Sequence, residues 1–312
     1  MVSKPTLICL VGLPASGKST YAKELSEKTG AVICSSDALR KELYGDENEQ
    51  GESQEVFEIL HKRIKELLSN GQDVIYDATN ISSKRRRHFL SQLNKVECNK
   101  ECIIMATPYE KCLENNRNRD RVVPEEVIKK MYMSWDTPYY FEGWDKISIV
   151  RKDEDITITP EDFLEKTWDY DQKNSHHPLS LGEHCCKARM YILNYFLTSY
   201  PYEVMSLALL DAASVHDCGK EFTATFRNCK GEETTECHFY SHENTGAYEA
   251  LFFDYEHNNA LTVSILVNLH MRPYQWEKSP NTEKLQNKYW KLWGDNLYDS
   301  VMLLHEADVN AH

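Results

Sequence analysis

The 312-residue chain carries 36 Lys and Arg residues against 49 Asp and Glu residues, which gives a net charge of −13 at pH 7. Hydrophobic residues make up 41% of the chain and charged residues 27%, an ordinary balance for a globular protein with two domains and two cores. No apolar run approaches the roughly 18 residues that cross a bilayer, and no signal peptide is evident, so we exclude a membrane protein and predict a cytoplasmic one.

The ten cysteines show neither zinc-finger spacing nor the pattern of a disulfide framework. The charge is uneven along the chain. Residues 1–150 contain 22 Lys and Arg against 23 Asp and Glu, whereas residues 151–312 contain 14 against 26. This balance argues against broad, nonspecific coating of nucleic acid, but it is compatible with a local basic groove.

The first half of the chain alternates strand and helix signals. Short apolar runs predict strands over residues 6–11, 31–34, 73–77 and 101–106. Helical spacing of apolar residues and helix-terminating glycines predict helices over residues 21–28, 55–70, 82–93 and 109–121. Strands that alternate with helices favour a parallel sheet in a three-layer α/β fold.

The segment between the first strand and the first helix fits the phosphate-loop pattern G-x-x-x-x-G-K-[ST]. In such a loop the glycines let backbone N–H groups surround a phosphate, the lysine reaches the β- and γ-phosphates, and the Ser hydroxyl binds Mg²⁺. The alternative is a chance match in a glycine turn, which the strand before it and the helix after it make less favourable. We therefore expect binding of ATP or GTP with Mg²⁺. The candidate residues are Gly12, Ser16, Gly17, Lys18, Ser19 and Thr20.

Three further features suit phosphoryl transfer. Asp37 could take the proton of an attacking hydroxyl while Arg40 holds a phosphate of the acceptor, although an N-cap aspartate with a surface arginine is the alternative. Asp77 ends a strand, where a carboxylate commonly assists Mg²⁺ binding. Arg117 and Arg121 are four residues apart, so we expect them on one helix face as a lid over the γ-phosphate, or else as a solvated face.

The pattern weakens over residues 151–178, and we place the domain boundary there, with domains at 1–168 and 169–312. Beyond the boundary the signals are almost all helical. The predicted helices cover residues 181–198, 203–215, 243–253, 260–269 and 295–307.

The helical half carries histidines and aspartates inside or at the ends of apolar helices. An unpaired polar ring is costly there, whereas imidazole and carboxylate groups from different helices can share a metal ion. A single histidine would more often be a satisfied core residue, but several occur here. The candidate metal ligands are His184, His216, Asp217, His242, His270 and Asp308.

The N-terminal half resembles the 5′-hydroxyl polynucleotide kinase domain of phage and bacterial RNA-repair enzymes. The resemblance covers about residues 5–150. It implies Asp37 as the general base, Arg40 as a contact to an acceptor phosphate and the arginines of 117–121 as a lid. The basic segment 84–87 is expected to line the nucleic-acid path, unless it is a solvated helix face. The matching segments are residues 12–19, 37–40, 74–80, 84–87 and 117–127.

The C-terminal half resembles the HD phosphohydrolase superfamily over about residues 175–312. The resemblance rests on His184, His216-Asp217 followed by Gly219-Lys220, His242, His270 and Asp308. It implies an all-α HD domain in which Lys220 stabilises a phosphate. His184, His216, Asp217 and Asp308 would bind one metal ion, and His242 and His270 would bind a second ion or the phosphate itself. The nitrogen-rich ligand set favours Mn²⁺, Fe²⁺ or Ni²⁺ over Mg²⁺.

Together the two resemblances predict a bifunctional enzyme that heals nucleic-acid ends. One half would be an ATP-dependent 5′-hydroxyl kinase, and the other a 3′-phosphatase or 2′,3′-cyclic phosphodiesterase. RNA or DNA ends would be the substrates, and a ligase could act in the same pathway. One alternative is a nucleoside or small-metabolite kinase fused to a nucleotide phosphohydrolase. Another is a nucleotide sensor whose second half only binds, which the intact ligand sets argue against.

Overall fold

The computed structural model describes residues 4–45, 53–119, 121–156, 158–175, 177–199 and 204–311. The chain divides into two compact units. The first comprises Met1–Tyr132 and Pro138–Lys152, and the second comprises Met133–Thr137 and Asp153–His312. The predicted boundary after residue 168 therefore lies within the second unit. Among the helices of the described ranges, none combines the length and apolar character that crossing a membrane requires.

The first unit is an α/β fold around one five-stranded sheet. Its strands are β1 (Thr6–Val11), β2 (Val32–Ser35), β3 (Val74–Asp77), β4 (Asn99–Met105) and β5 (Lys146–Val150). Its helices are α1 (Lys18–Thr29), α2 (Ser36–Tyr44), α3 (Ser53–Ser69), α4 (Ser83–Gln92), α5 (Tyr109–Arg117) and α6 (Glu125–Tyr132), with a 3₁₀ turn at Tyr140–Glu142. All strand pairs are parallel, in the order β2-β3-β1-β4-β5, which confirms the predicted parallel sheet.

The sheet core explains why apolar runs in this sequence form strands. Residues 7–11 of β1 are all buried, as expected for a parallel strand that is covered on both faces. On one face, Leu10, Ile75 and Met105 pack together with Ala22 of α1. Because the strands are parallel, β1, β2 and β3 end at the same edge of the sheet, and the loops that follow them meet there.

Helix α4 corrects the expectation that residues 84–87 all face nucleic acid. Arg86 is 2% exposed, and its guanidinium forms a two-pronged ion pair with Glu142, at 2.6 and 2.7 Å. The same carboxylate accepts a hydrogen bond from Trp144 Nε1 at 2.8 Å. Arg86 is therefore a core residue. Lys84, Arg85 and Arg87 are exposed. Their contact with nucleic acid stays a prediction.

Helix α5 ends at Arg117, so the predicted helix over residues 109–121 is too long. The reason is the buried side chain of Asn116, which accepts from the backbone N–H of Val123 and donates to its carbonyl oxygen, at 2.9 and 2.8 Å. These bonds fold the chain back into a loop before Pro124. Arg117 and Arg121 therefore do not share a helix face, and Asp120 lies outside the described residues.

The second unit is largely helical. Its helices are α7 (Pro160–Lys166), α8 (Leu181–Ser199), α9 (Val204–Val215), α10 (Lys220–Thr223), α11 (His242–Glu249), α12 (Ala260–Leu269), α13 (Arg272–Glu277) and α14 (Thr282–Val309), with 3₁₀ turns at Asp153–Asp155 and Ala250–Phe252. Residue 203, the predicted start of α9, lies outside the described residues. Helix α14 begins earlier than predicted because it continues across a kink at Gly294.

A β-hairpin corrects the expectation that the second unit is all-α. Strands β6 (Ala224–Arg227) and β7 (Glu233–Phe239) pair antiparallel. Between them, the Asn228 side chain accepts hydrogen bonds from the N–H groups of Lys230 and Glu232, and Gly231 adopts a positive φ of 83°. These local bonds define the turn. Only Cys237 is buried in these two strands, so they lack the apolar signal of a buried strand.

The helices of the second unit bring polar residues to its interior at their ends. His184 lies in the first turn of α8, and His216 and Asp217 directly follow α9. His242 begins α11 and His270 directly follows α12, while Asp308 lies in the last turn of α14. The apolar bodies of α9 and α12 are almost entirely buried, so packing in the core fixes where these ends lie.

The Arg86–Glu142 pair predicts a large loss of stability when Arg86 is removed. Arg86→Ala leaves the Glu142 carboxylate buried without its partner, which we expect to cost about 3–5 kcal/mol of unfolding free energy. Urea unfolding followed by circular dichroism measures the change. Arg87→Ala, an exposed change on the same helix, should alter stability by no more than about 0.5 kcal/mol. Equal effects of the two changes would contradict the structural role of Arg86.

Candidate functional site

The phosphate loop lies between β1 and α1, and two glycines determine its shape. Gly17 has a φ of 89°, which other residues rarely adopt. A Cβ atom on Gly12 would lie 2.9 Å from the carbonyl oxygen of Met105, so only glycine fits at this position. The first backbone N–H groups of α1 follow directly. The loop and helix N-terminus together form an anion-binding site.

Lys18 lies across this loop. Its Nζ atom donates hydrogen bonds to the carbonyl oxygens of Gly12 and Leu13, at 3.0 and 2.6 Å. Burial lowers the pKa of Lys18 to about 8; the carboxylate of Asp77 opposes this shift, and the positive charge of Arg119 adds to it. The ammonium is thus held inside the loop, where it can contact phosphate oxygens.

Ser19 and Asp77 form the candidate Mg²⁺ site of the first unit. The Ser19 hydroxyl donates to Asp77 Oδ2 at 2.8 Å, and Asp77 is buried at the end of β3. A hydroxyl and a carboxylate in contact at a phosphate loop are ligands that suit Mg²⁺. Of the two other predicted residues, Ser16 is buried in the loop. Thr20 is exposed on the first turn of α1.

Asp37 is held between two arginines at the same edge of the sheet. Arg40 Nη1 lies 3.0 Å from Asp37 Oδ1, and Arg121 Nη1 lies 2.6 Å from Asp37 Oδ2. The helix cap is Ser35, whose hydroxyl accepts from the Ala38 N–H, so Asp37 is not needed as the cap. The carboxylate is oriented by both guanidinium groups and remains partly exposed.

The structure separates the lid arginines that the sequence grouped together. Arg117 pairs with Glu125 at 2.8 Å on an exposed surface, whereas Arg121 reaches Asp37 from the loop after α5. Arg119, another of the arginines of 117–121 expected to form the lid, contributes a positive charge that lowers the pKa of Lys18. Arg119 and Arg121 are therefore better placed than Arg117 to contact a transferred phosphate.

Four ligand atoms meet in the second unit to form a first candidate metal site. His184 Nε2 lies 3.2 Å from His216 Nε2 and 3.0 Å from Asp308 Oδ1. Asp217 Oδ2 lies 3.4 Å from both imidazole nitrogens. These four residues are between 0 and 6% exposed. The ligand atoms of His184, His216 and Asp217 all lie within 4.8 Å of one another and can share one divalent ion, which Asp308 Oδ1 could join from beside the two imidazoles.

A second candidate site uses the other oxygen of Asp217. His242 Nε2 lies 3.2 Å from Asp217 Oδ1 and 3.2 Å from His270 Nε2, and His270 Nε2 lies 3.9 Å from the same carboxylate oxygen. Asp217 thus directs Oδ2 to the first set of ligands and Oδ1 to the second. A carboxylate with this arrangement can bridge two metal ions.

Backbone hydrogen bonds fix the tautomers of the four histidines. In each ring Nδ1 lies within hydrogen-bond distance of a carbonyl oxygen, which can only accept, so Nδ1 carries the proton. In the neutral form of each ring, Nε2 then has a lone pair directed at the candidate site, as metal-binding histidines require. The pairs are His184 with Ala311 (3.2 Å), His216 with Ala213 (2.9 Å), His242 with Phe239 (2.8 Å) and His270 with Val267 (2.6 Å).

Lys220 supplies a buried positive charge beside this cluster. Its Nζ atom lies 2.7 Å from Asp217 Oδ2 and donates to Gln172 Oε1 at 2.8 Å. Burial alone would raise the pKa of Asp217, but the positive charge of Lys220 holds that pKa well below its usual range. Gln172 is 1% exposed and was not predicted, because nothing in its local sequence indicates a partner 48 residues away.

Tyr274 is a second residue that the sequence analysis missed. Its hydroxyl donates to Asp308 Oδ2 at 3.1 Å, on the side of the carboxylate away from His184. Burial, and then the negative charge of Asp308, raise the pKa of Tyr274 far above its usual value, so the phenol remains a hydrogen-bond donor. A single tyrosine in a short helix carries no sequence signal for this role.

Comparisons with known proteins concern the first unit. Residues 7–138 match the family model of an AAA domain. The L-seryl-tRNA(Sec) kinase of Methanococcus maripaludis is 34% identical over 146 residues, covering 45% of this chain and 56% of the relative. An adenylate kinase of Thermotoga neapolitana is 31% identical over 101 residues, covering 32% of this chain and 39% of that protein. The chain thus spans little more than half the length of the first relative and less than half the length of the second.

A solved structure of a Pnkp1/Rnl/Hen1 RNA repair complex superimposes with a TM-score of 0.39 at 22% identity, over 42% of this chain and 44% of the other. The family match coincides with the parallel sheet and its phosphate loop. Over residues 7–138 this chain is therefore similar to AAA domains.

Proposed function

We propose that the chain is a bifunctional enzyme that heals nucleic-acid ends, RNA above all. The first unit would phosphorylate a 5′-hydroxyl end from ATP. The second would remove a 3′-phosphate or open a 2′,3′-cyclic phosphate with the help of divalent metal ions. The observation that carries the proposal is that one chain combines Asp37, held by two arginines beside a phosphate loop, with a buried cluster of four histidines and two aspartates.

The kinase residues suit attack by a hydroxyl group. The acceptor oxygen forms a bond to the γ-phosphorus of ATP while the bond to the β-phosphate oxygen breaks, and Asp37 accepts the hydroxyl proton. Arg40 lies beside this carboxylate, with Nη1 3.0 Å from Asp37 Oδ1, and we assign its guanidinium to a phosphate of the acceptor. Ser19 and Asp77 would hold Mg²⁺, which neutralises charge on the transferred phosphate.

Two observations support RNA as the acceptor. The name of the seryl-tRNA kinase relative gives it a hydroxyl-bearing substrate attached to RNA, and that relative is 34% identical over the kinase region. In addition, Lys84, Arg85 and Arg87 are exposed on α4, where they can contact a phosphodiester backbone. The competing reading is a kinase of free nucleosides or small metabolites, which has no use for such a backbone contact.

The second unit suits metal-dependent phosphoester hydrolysis. The fixed tautomers present four imidazole Nε2 atoms and the oxygens of two carboxylates, a donor set that suits Mn²⁺, Fe²⁺ or Ni²⁺. When bound, such ions supply hydroxide and neutralise phosphate charge. Lys220 adds a fixed positive charge at the edge of the ligand set, where it can bind a phosphate oxygen.

We expect that one substitution in each unit removes the activity of that unit and spares the activity of the other. Lys18→Ala should abolish phosphate transfer from labelled ATP to a 5′-hydroxyl RNA oligomer and spare phosphate release from a 3′-phosphate oligomer. Asp217→Asn should do the reverse, because each change removes a charge from one site only. Lys23→Ala, an exposed change on α1, is the matched control. Parallel assays with a DNA oligomer and free nucleosides identify the acceptor. Transfer to nucleosides alone would overturn the polynucleotide assignment.

Metal content tests the two-ion arrangement of the second unit. After reconstitution with Mn²⁺, we expect two equivalents per chain by elemental analysis, because the oxygens of Asp217 face two ligand pairs. His242→Ala should reduce the content to one equivalent, since it removes one of the imidazoles of the second site. His257→Ala, an exposed histidine, should keep two equivalents. A wild-type content of one, unchanged by His242→Ala, would instead make His242 a phosphate ligand.

The basic face of α4 should contribute to oligomer binding. Replacing Arg85 and Arg87 together by Ser should raise the KM for a 5′-hydroxyl RNA oligomer and leave the KM for ATP unchanged. Each lost phosphate contact should reduce the slope of log affinity against log salt by about 0.7. The double change of Lys62 and Lys65 to Ser, both exposed on α3, controls for net charge. If both pairs of changes act equally, α4 has no specific role.

A further inference from the structure

The two carboxylates of the candidate metal centre are held differently. Asp217 has ligand nitrogens near both of its oxygens, at 3.4 Å from Oδ2 and 3.2 Å from Oδ1. Asp308 directs only Oδ1 to imidazoles, at 3.0 Å from His184 and 3.6 Å from His216. Its Oδ2 accepts the hydrogen bond of Tyr274 at 3.1 Å. These contacts therefore suit Asp217 to coordinate metal through both oxygens and Asp308 to coordinate through one.

Tyr274 is itself held in place. Its ring meets the ring of His305 edge to face, with centroids 4.4 Å apart. His305 is 6% exposed, and its Nε2 lies 3.0 Å from Glu277 Oε1. Glu277 and Tyr274 belong to α13, whereas His305 lies one turn before Asp308 on α14. This chain of contacts ties α13 to the helix that carries the metal ligand, so the phenol cannot turn away easily.

We infer that Tyr274 is a positioning residue that makes Asp308 a one-oxygen ligand of the first metal ion and leaves the bridging role to Asp217. The phenol O–H occupies Oδ2, so rotating the carboxylate to offer both oxygens would break a partly buried hydrogen bond. Partners of this kind orient metal ligands, and their loss commonly weakens metal binding by about 10- to 100-fold. The inference rests on the metal-dependent function proposed above and adds to it a residue outside the six ligands.

Tyr274→Phe tests the inference because it removes one oxygen atom and keeps the ring against His305. We expect the Kd of the first Co²⁺ ion, measured by competition with a chelator, to rise by about 10-fold or more. The Kd of the second ion should change by less than threefold. The visible absorption spectrum of the first Co²⁺ ion should also change, since Asp308 is then free to coordinate through both oxygens. A merely structural role would leave that spectrum as in the wild type.

Tyr191→Phe is the matched control. The Tyr191 hydroxyl also donates to a carboxylate of α14, that of Glu306, but this carboxylate is not among the ligands. We expect its metal affinities and Co²⁺ spectrum to match those of the wild type. Asp308→Asn, which changes the ligand itself, should weaken the first ion more than Tyr274→Phe does.

The outcomes separate this inference from the function on which it rests. An unchanged first Kd and spectrum in Tyr274→Phe, with loss of the first ion in Asp308→Asn, overturn the positioning role and leave the metal centre intact. Absence of Co²⁺ binding in the wild type overturns the proposed function. If circular dichroism shows that Tyr274→Phe is unfolded, His305→Phe carries the test, because it removes the His305–Glu277 hydrogen bond that holds His305 against the Tyr274 ring. An unchanged first Kd in that variant also overturns the role.

Discussion

The buried carboxylate of Asp217 is the charge around which the second unit is arranged. It is 2% exposed, and burial of a carboxylate without compensation costs several kcal/mol. The ammonium of Lys220, at 2.7 Å from Oδ2, provides that compensation. Because each oxygen faces a different set of groups, the carboxylate cannot rotate without losing both. The helix ends that carry the other candidate ligands must therefore lie at fixed distances from this one side chain.

In the first unit the corresponding constraint is the parallel sheet. Three neighbouring strands, β2, β3 and β1, end at one edge, and each is followed by a group that phosphate chemistry needs. Asp37 follows β2, Asp77 ends β3, and the loop that contains Lys18 follows β1. Polar contacts then orient the groups of the site: two arginines orient Asp37, and hydrogen bonds to two loop carbonyl oxygens hold the Lys18 ammonium in place. The sheet thus brings the charged groups of the site close together, and the ion pairs orient Asp37.

Local patterns predicted the parts of the fold that local physics determines. The apolar run over residues 6–11 is β1, and the helix over residues 260–269 has the predicted bounds. Pairings over long sequence distances were not predictable, such as Arg86 with Glu142 or Tyr274 with Asp308, because nothing near either residue specifies its partner. The expectation that Arg117 and Arg121 share one helix face was wrong for a related reason. Asn116 ends α5 through bonds to Val123, and a helical charge pattern does not reveal such a bond.

The charge distribution indicates which part of the proposed substrate each unit would contact. Residues 151–312 contain 14 Lys and Arg against 26 Asp and Glu, so a long polyanion is repelled by most of that surface. This repulsion is screened beyond about 8–10 Å, whereas the metal ions and Lys220 would reverse the sign of the potential inside the ligand cluster. A terminal phosphate can therefore bind there without a long stretch of backbone. Under the proposed function, contacts along the backbone would fall instead to the first unit, where residues 1–150 are nearly neutral and α4 exposes Lys84, Arg85 and Arg87.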